Sequence, residues 1–140
     1  MKNSYGISYI ENPFQIVPDF IPEYLAAAEN LPYIKVGKMV FFDNQIKIEG
    51  KKIFFASDIL SGMLVVLRYI NSFFERKEKI TIDIKDIKFF KTYQVVLGLF
   101  KLKWQIINFK VRDNDFWILP NGVIGNKKQF QKILTNFKNI

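Results

Sequence analysis

The chain has 140 residues, 15 of them phenylalanine, with no histidine, no cysteine and a formal net charge of +8. The two missing residue types exclude Ser-His and Cys-His nucleophile triads, disulfides, and the usual zinc ligand sets. Hydrophobic content of 49% and charged content of 24% fit a folded domain rather than a disordered chain, and a single domain spanning 1–140 is expected at this length.

Taken in chain order, residues 1–21 contain Pro13 and Pro18 and are read as an extended arm without a period, whose Phe14, Ile16, Val17 and Phe20 pack onto the body. Pro22 suits the first position of a short helix running to about Asn30, with Glu23 in its first turn and Pro32 ending it. Residues 1–32 are thus an N-terminal arm and short helix, 33–125 a β-rich body, and 126–140 a C-terminal helix. Tyr33 to Phe42 is rich in β-branched and aromatic residues and reads as a strand. Asp43-Asn44 makes a turn, and Gln45 to Glu49 alternates as a second strand. Glu49-Gly50-Lys51 is read as a further turn and Ile53 to Ala56 as a further strand, giving a meander.

Ser57 to Phe74 fits either a helix with Ile59, Met63, Val66, Leu67, Ile70 and Phe74 on one stripe, or a buried strand at Met63–Tyr69. The strand is preferred because its neighbours are strands. After a charged turn at Glu75–Lys79, the run Lys79 to Lys85 alternates with Ile80, Ile82 and Ile84 facing in. Asp86 interrupts it and Ile87 to Phe90 pairs again. Tyr93 to Phe100 is an apolar run containing Gly98. In Lys101 to Val111 the apolar phase changes between Ile106 and Ile107, which predicts a β-bulge. Asp113-Asn114 is a turn, Phe116 to Leu119 a strand, and Pro120-Asn121-Gly122 another turn. Asn126 is read as the N-cap of a helix whose Phe130, Ile133, Leu134 and Phe137 fall at i, i+3, i+4 and i+7, a stripe made to dock on a core.

Few features point to chemistry. No phosphate-binding glycine loop or EF-hand ligand series is present. The pairs Asp83/Asp86 and Asp113/Asp115 read as solvated turns rather than catalytic dyads. The basic residues carry more weight, since a pI of about 9.6 favours anionic partners. Lys79, Lys85, Lys88, Lys91, Lys101, Lys103 and Lys110, with Trp104, make a candidate basic and aromatic binding face if their strands are adjacent. Arginine, the better phosphate fork, occurs only at Arg68, Arg76 and Arg112. The longest apolar stretch, Ile59 to Leu67, is far short of the ~20 residues that span a bilayer, and no signal peptide is read at Met1 to Ser8.

The order of a meander at Met39–Ala56, the strand and corner ITIDIKDIKFF at Ile80–Phe90, the hairpin INFKVRDNDFWILPNG at Ile107–Gly122 and a closing amphipathic helix at Asn126–Lys138 resembles a pleckstrin-homology-like domain of the bacterial or GRAM-like kind. That resemblance covers roughly residues 33–138. It implies a strongly bent barrel with the last helix plugging one open end. A second pattern, ASDILSGMLVV at Ala56–Val66, is similar to the D-x-S-x-x-G turn of the cyclic di-GMP-binding PilZ barrel. Asp58, Ser61 and Gly62 stand at a different spacing there, and Lys51 and Lys52 stand where that family has paired arginines.

The expected fold is therefore α+β: a bent antiparallel sheet or small barrel closed by a C-terminal amphipathic helix, with a short N-terminal helix. The expected function is a non-catalytic binding or scaffold module, without cofactor or metal, that recognises a protein partner or an anionic surface through its basic, aromatic-rich face. It is expected in the cytoplasm or at a membrane periphery. The alternative is a nucleic-acid-associated protein, such as a ribonucleoprotein component.

Overall fold

A computed structural model describes residues 3–27, 34–52, 78–122 and 125–138. Its elements are β1 (Asn3–Glu11), α1 (Pro13–Ile16), α2 (Pro22–Ala27), β2 (Lys35–Phe42), β3 (Gln45–Lys52), β4 (Glu78–Asp83), β5 (Ile87–Leu97), β6 (Leu102–Val111), β7 (Asn114–Pro120) and α3 (Lys127–Lys138). The strands form one seven-stranded antiparallel sheet in the order β4-β3-β2-β1-β7-β6-β5. Each strand pairs with its neighbour in the chain, β1 closes onto β7, and the meander is open only between β4 and β5. A single 3₁₀ turn, Ile84–Asp86, joins those two edge strands. Edges joined by so short a link must approach each other, so the sheet curls into a half-barrel.

Strand alternation sorts the apolar residues onto two faces. The inner face carries Ile7, Tyr9, Met39, Phe41, Ile46, Ile48, Ile82, Ile107, Phe109, Phe116 and Ile118, closed by Phe130 and Ile133 of α3. Phe137 adds edge-on contacts to Phe41 at 5.3 Å between ring centroids. The helix is further tied down by Asn136, whose Nδ2 donates to the Tyr5 hydroxyl at 2.7 Å. On the outer face, Ile10, Phe20, Leu25, Ile34, Val95, Ile106, Trp117 and Leu119 form a second cluster under α2 and its lead-in. Fully burying a large aliphatic or aromatic side chain contributes ~1.5–3 kcal/mol, so both faces stabilise the curl.

Several expectations change. Residues 3–11 are not an arm: β1 lies between β2 and β7 in the middle of the sheet. The arm proper is the segment after it, where Phe20 is buried while Phe14 and Ile16 remain exposed. Glu49-Gly50-Lys51 is no turn, because β3 runs straight through it with continuous pairing to β2 and β4. β6 has no extra residue of its own: its pairing with β7 is continuous, and its pairing with β5 runs in step from Leu102 to Lys110. Its phase change marks the point where burial moves from the outer cluster, at Ile106, to the inner one, at Ile107. Among the described residues, the one register shift is in β5, between Ile87 and Phe89. The readings for Ile53–Ala56, the whole of Ser57–Phe74 and the start of Glu75–Lys79 lie outside the described residues.

Asn126 starts α3, but its side chain is spent on the sheet. Its Oδ1 accepts from the Gln105 amide at 2.7 Å, and its Nδ2 donates to the carbonyls of Gln105 at 2.9 Å and Pro120 at 2.8 Å. A residue type read as a helix cap is therefore the bolt between helix and barrel.

Candidate functional site

The lysines singled out from the sequence fall into separate groups. Lys91 and Lys110 come together on the outer face of β5 and β6, because Phe89 pairs with Lys110 and Lys91 with Asn108. Lys110 Nζ sits 5.2 Å from the centroid of the Phe89 ring, and Lys91 Nζ lies 5.9 Å from Phe89 and 5.8 Å from Tyr93. Tyr93 in turn stacks on Trp117 at 5.1 Å, and Phe20 meets the same indole edge-on. Trp104 is half-buried in the outer cluster opposite Val95, so the aromatic neighbours of the two lysines are Phe89 and Tyr93 instead.

The other lysines are dispersed. Lys79 stands on the opposite edge strand, paired in register with Glu49. Lys85 lies in the 3₁₀ turn, and Lys88 follows at the irregular start of β5. Lys103 pairs with Val96 on the other face from Lys91 and Lys110, and Lys101 occupies the β5–β6 turn. A further basic group on β2 and β3 escaped the sequence reading. Lys38 and Lys47 reach the buried Glu49 carboxylate at 3.9 and 3.4 Å. Its signal was the strand alternation of β2 and β3, which places them beside Lys79 only once the register is known.

Asp115 and Asp83, one member of each predicted pair, are tied into structure. Asp115 accepts from Asn108 Nδ2 at 2.6 Å and from the Trp117 indole at 3.0 Å. Its backbone is clamped to Asn12, whose Oδ1 accepts from the Asp115 amide at 2.8 Å. Asp83 accepts from Gln45 Nε2 at 3.0 Å. Lys35 and Glu78 form an ion pair at the far end of β2 and β4. Among the described residues, no group of three His, Cys, Asp or Glu side chains converges as a metal site. A cleft of 320 Å³ lies beside the Asn12 clamp, lined by Phe14, Lys110, Arg112 and Asp113 among others.

No family model, curated protein or solved structure matches this chain.

The feature with the least local explanation is the β5–β6 turn. Leu97 pairs with Leu102, and Gly98 to Lys101 close the hairpin with the Lys101 amide donating to the Gly98 carbonyl at 3.2 Å. At its tip Leu99 is 98% exposed and Phe100 87% exposed. In the sequence these two residues end the apolar run Tyr93 to Phe100. Only the turn at Gly98 puts them outside.

Proposed function

We propose that this protein is a non-catalytic binding module of the pleckstrin-homology-like kind, which docks through the outer face and tip of its β5–β6 hairpin. The observation that carries this is the pair Leu99–Phe100, held in water on an ordered hairpin beside Lys101 and Lys103. Exposing two large apolar side chains on a stable turn gives no folding energy, so their use lies in contact with something else. The module reading is supported by a meander open at one seam and by an inner face filled with side chains under α3. The non-catalytic reading is supported by the occupation of Asp83, Asp115 and Glu49 in hydrogen bonds and ion pairs. Lysines around apolar anchors would steer association and make it salt-dependent, while the anchors set the dissociation rate.

The test is capture from native lysate with the full chain, at low and high salt, with and without nuclease, beside the variant Leu99→Asp/Phe100→Asp. A stoichiometric protein or lipid fraction that resists nuclease and is lost in the variant supports the module. Release by nuclease would move the protein to the nucleic-acid class, with its steep salt dependence.

A further inference from the structure

We infer that the β5–β6 tip is a membrane anchor, with Leu99 and Phe100 entering the headgroup–acyl boundary of an anionic bilayer. This rests on the binding-module reading above. Three observations carry it. First, the exposure is of a different order from the rest of the surface: Phe14, Ile21, Phe89 and Phe90 are 40–49% exposed and keep a packed side, whereas Leu99 at 98% and Phe100 at 87% keep almost none. Second, the shape is a knob. A protein partner ordinarily meets a patch of several hundred Å², whereas a bilayer receives a two-residue wedge without needing a complementary pocket. Val96, on β5 just before the turn, is also exposed, at 48%.

Third, the wedge stands in positive charge. Lys101 follows Phe100 directly, and Lys103 is the register partner of Val96. The lead-in to α3 lies against this part of β6, since a Cβ on Gly125 would come within 2.7 Å of the Lys103 carbonyl oxygen. Asn126 is bonded to Gln105 from the same place. The exposed Lys127 and Lys128 follow this contact at the start of the helix and add to the positive charge of the region. Apolar insertion and attraction to anionic headgroups add, and two weak signals together make reversible membrane attachment stable. Each lysine near such a surface strengthens binding roughly fivefold.

The experiment is co-sedimentation of the full chain with phosphatidylcholine vesicles, with and without phosphatidylserine. The expected result is binding that requires phosphatidylserine and weakens with salt. It should fall at least about tenfold in Leu99→Asp/Phe100→Asp, whose fully exposed positions leave the fold intact by circular dichroism. The variant Phe100→Trp gives an independent readout, taken as its difference from the wild-type emission of Trp104 and Trp117. The added indole emission should shift to the blue on anionic vesicles and be quenched by brominated acyl chains. Failure of the wild type to bind, equal binding by the Asp double variant, or an unmoved added emission in vesicle-bound Phe100→Trp would each overturn the anchor. Loss of a purified protein partner in the same Asp double variant, with no vesicle binding, would overturn the lipid assignment and leave the binding module standing.

Discussion

Tyr9→Phe removes one oxygen atom from the inner face of the sheet. The Tyr9 side chain is fully buried and its hydroxyl has no hydrogen-bond partner. The ring lies against the backbone of β3: a Cβ on Gly50 would sit 2.6 Å from its Cε1 and 2.9 Å from its hydroxyl. A buried, unpaired hydroxyl costs ~1–3 kcal/mol relative to its hydrated state. The variant leaves a vacancy on the order of 15 Å³, which costs roughly 0.4 kcal/mol. The expected net effect is stabilisation by about 1 kcal/mol. In equilibrium urea unfolding the midpoint should rise by about 0.5 M at unchanged slope, given typical slopes of ~1–3 kcal/mol/M.

The pH profile supplies a second, independent readout. Burial pushes the Tyr9 hydroxyl above the usual phenol range, and the charges of Glu78 and Glu11 push the same way. The folded chain then holds this proton where the unfolded chain releases it, from pH ~10 upward. The Tyr9 contribution is complete below that pH and is lost as pH rises, by up to ~1.4 kcal/mol per unit. Tyr9→Phe lacks this loss, so its advantage over the wild type should widen above pH ~10, while the lysines titrate alike in both. A variant destabilised by more than ~1 kcal/mol, or parallel alkaline profiles, would show that the hydroxyl is satisfied in the native state and would refute the reasoning.

Gly50→Ala drives a methyl into the Tyr9 ring and should cost about 1–3 kcal/mol; combined with Tyr9→Ala, the cost in thermal unfolding should be clearly less than additive. Gly37→Ala should be worse, because its Cβ would fall 1.8 Å from the Glu49 carbonyl oxygen, a backbone atom that cannot swing away. Asn126→Ala removes the bonds to Gln105 and Pro120 and should destabilise by roughly 2–4 kcal/mol, with the midpoint of urea unfolding as the check. Asp115→Ala strands the Trp117 indole N–H and should cost about 1–3 kcal/mol, accompanied by a changed near-ultraviolet circular dichroism of that tryptophan.

Part of this protein is written locally. The spacing of Phe130, Ile133, Leu134 and Phe137 specifies an amphipathic helix, and the alternation of Ile80 and Ile82 specifies a strand, because period alone decides which residues share a face. Tyr5, Ile7 and Tyr9 alternate in the same way with Ser4, Gly6 and Ser8. That signal is present in the sequence, but the prolines after it suggest an arm, and nothing local places β1 between β2 and β7. Other features belong to tertiary structure alone. Alternation divides Lys79 from Ile80 and Ile82 and Lys110 from Phe109 and Val111, and it puts Lys91 on one face with Phe89 and Tyr93. It does not reveal that β4 and β5, consecutive in the chain, are unpaired and occupy the two edges of the sheet, with Lys79 on one and Lys91 on the other. The same holds for Ile106 and Ile107, whose phase change records a second buried face rather than a bulge. The double role of Asn126 and the exposure of Leu99 and Phe100 also arise only when distant strands meet. Backbone and side-chain periodicity act over a few residues, whereas strand order, register and exposure are set by contacts between residues a hundred positions apart, such as Ile10 with Trp117.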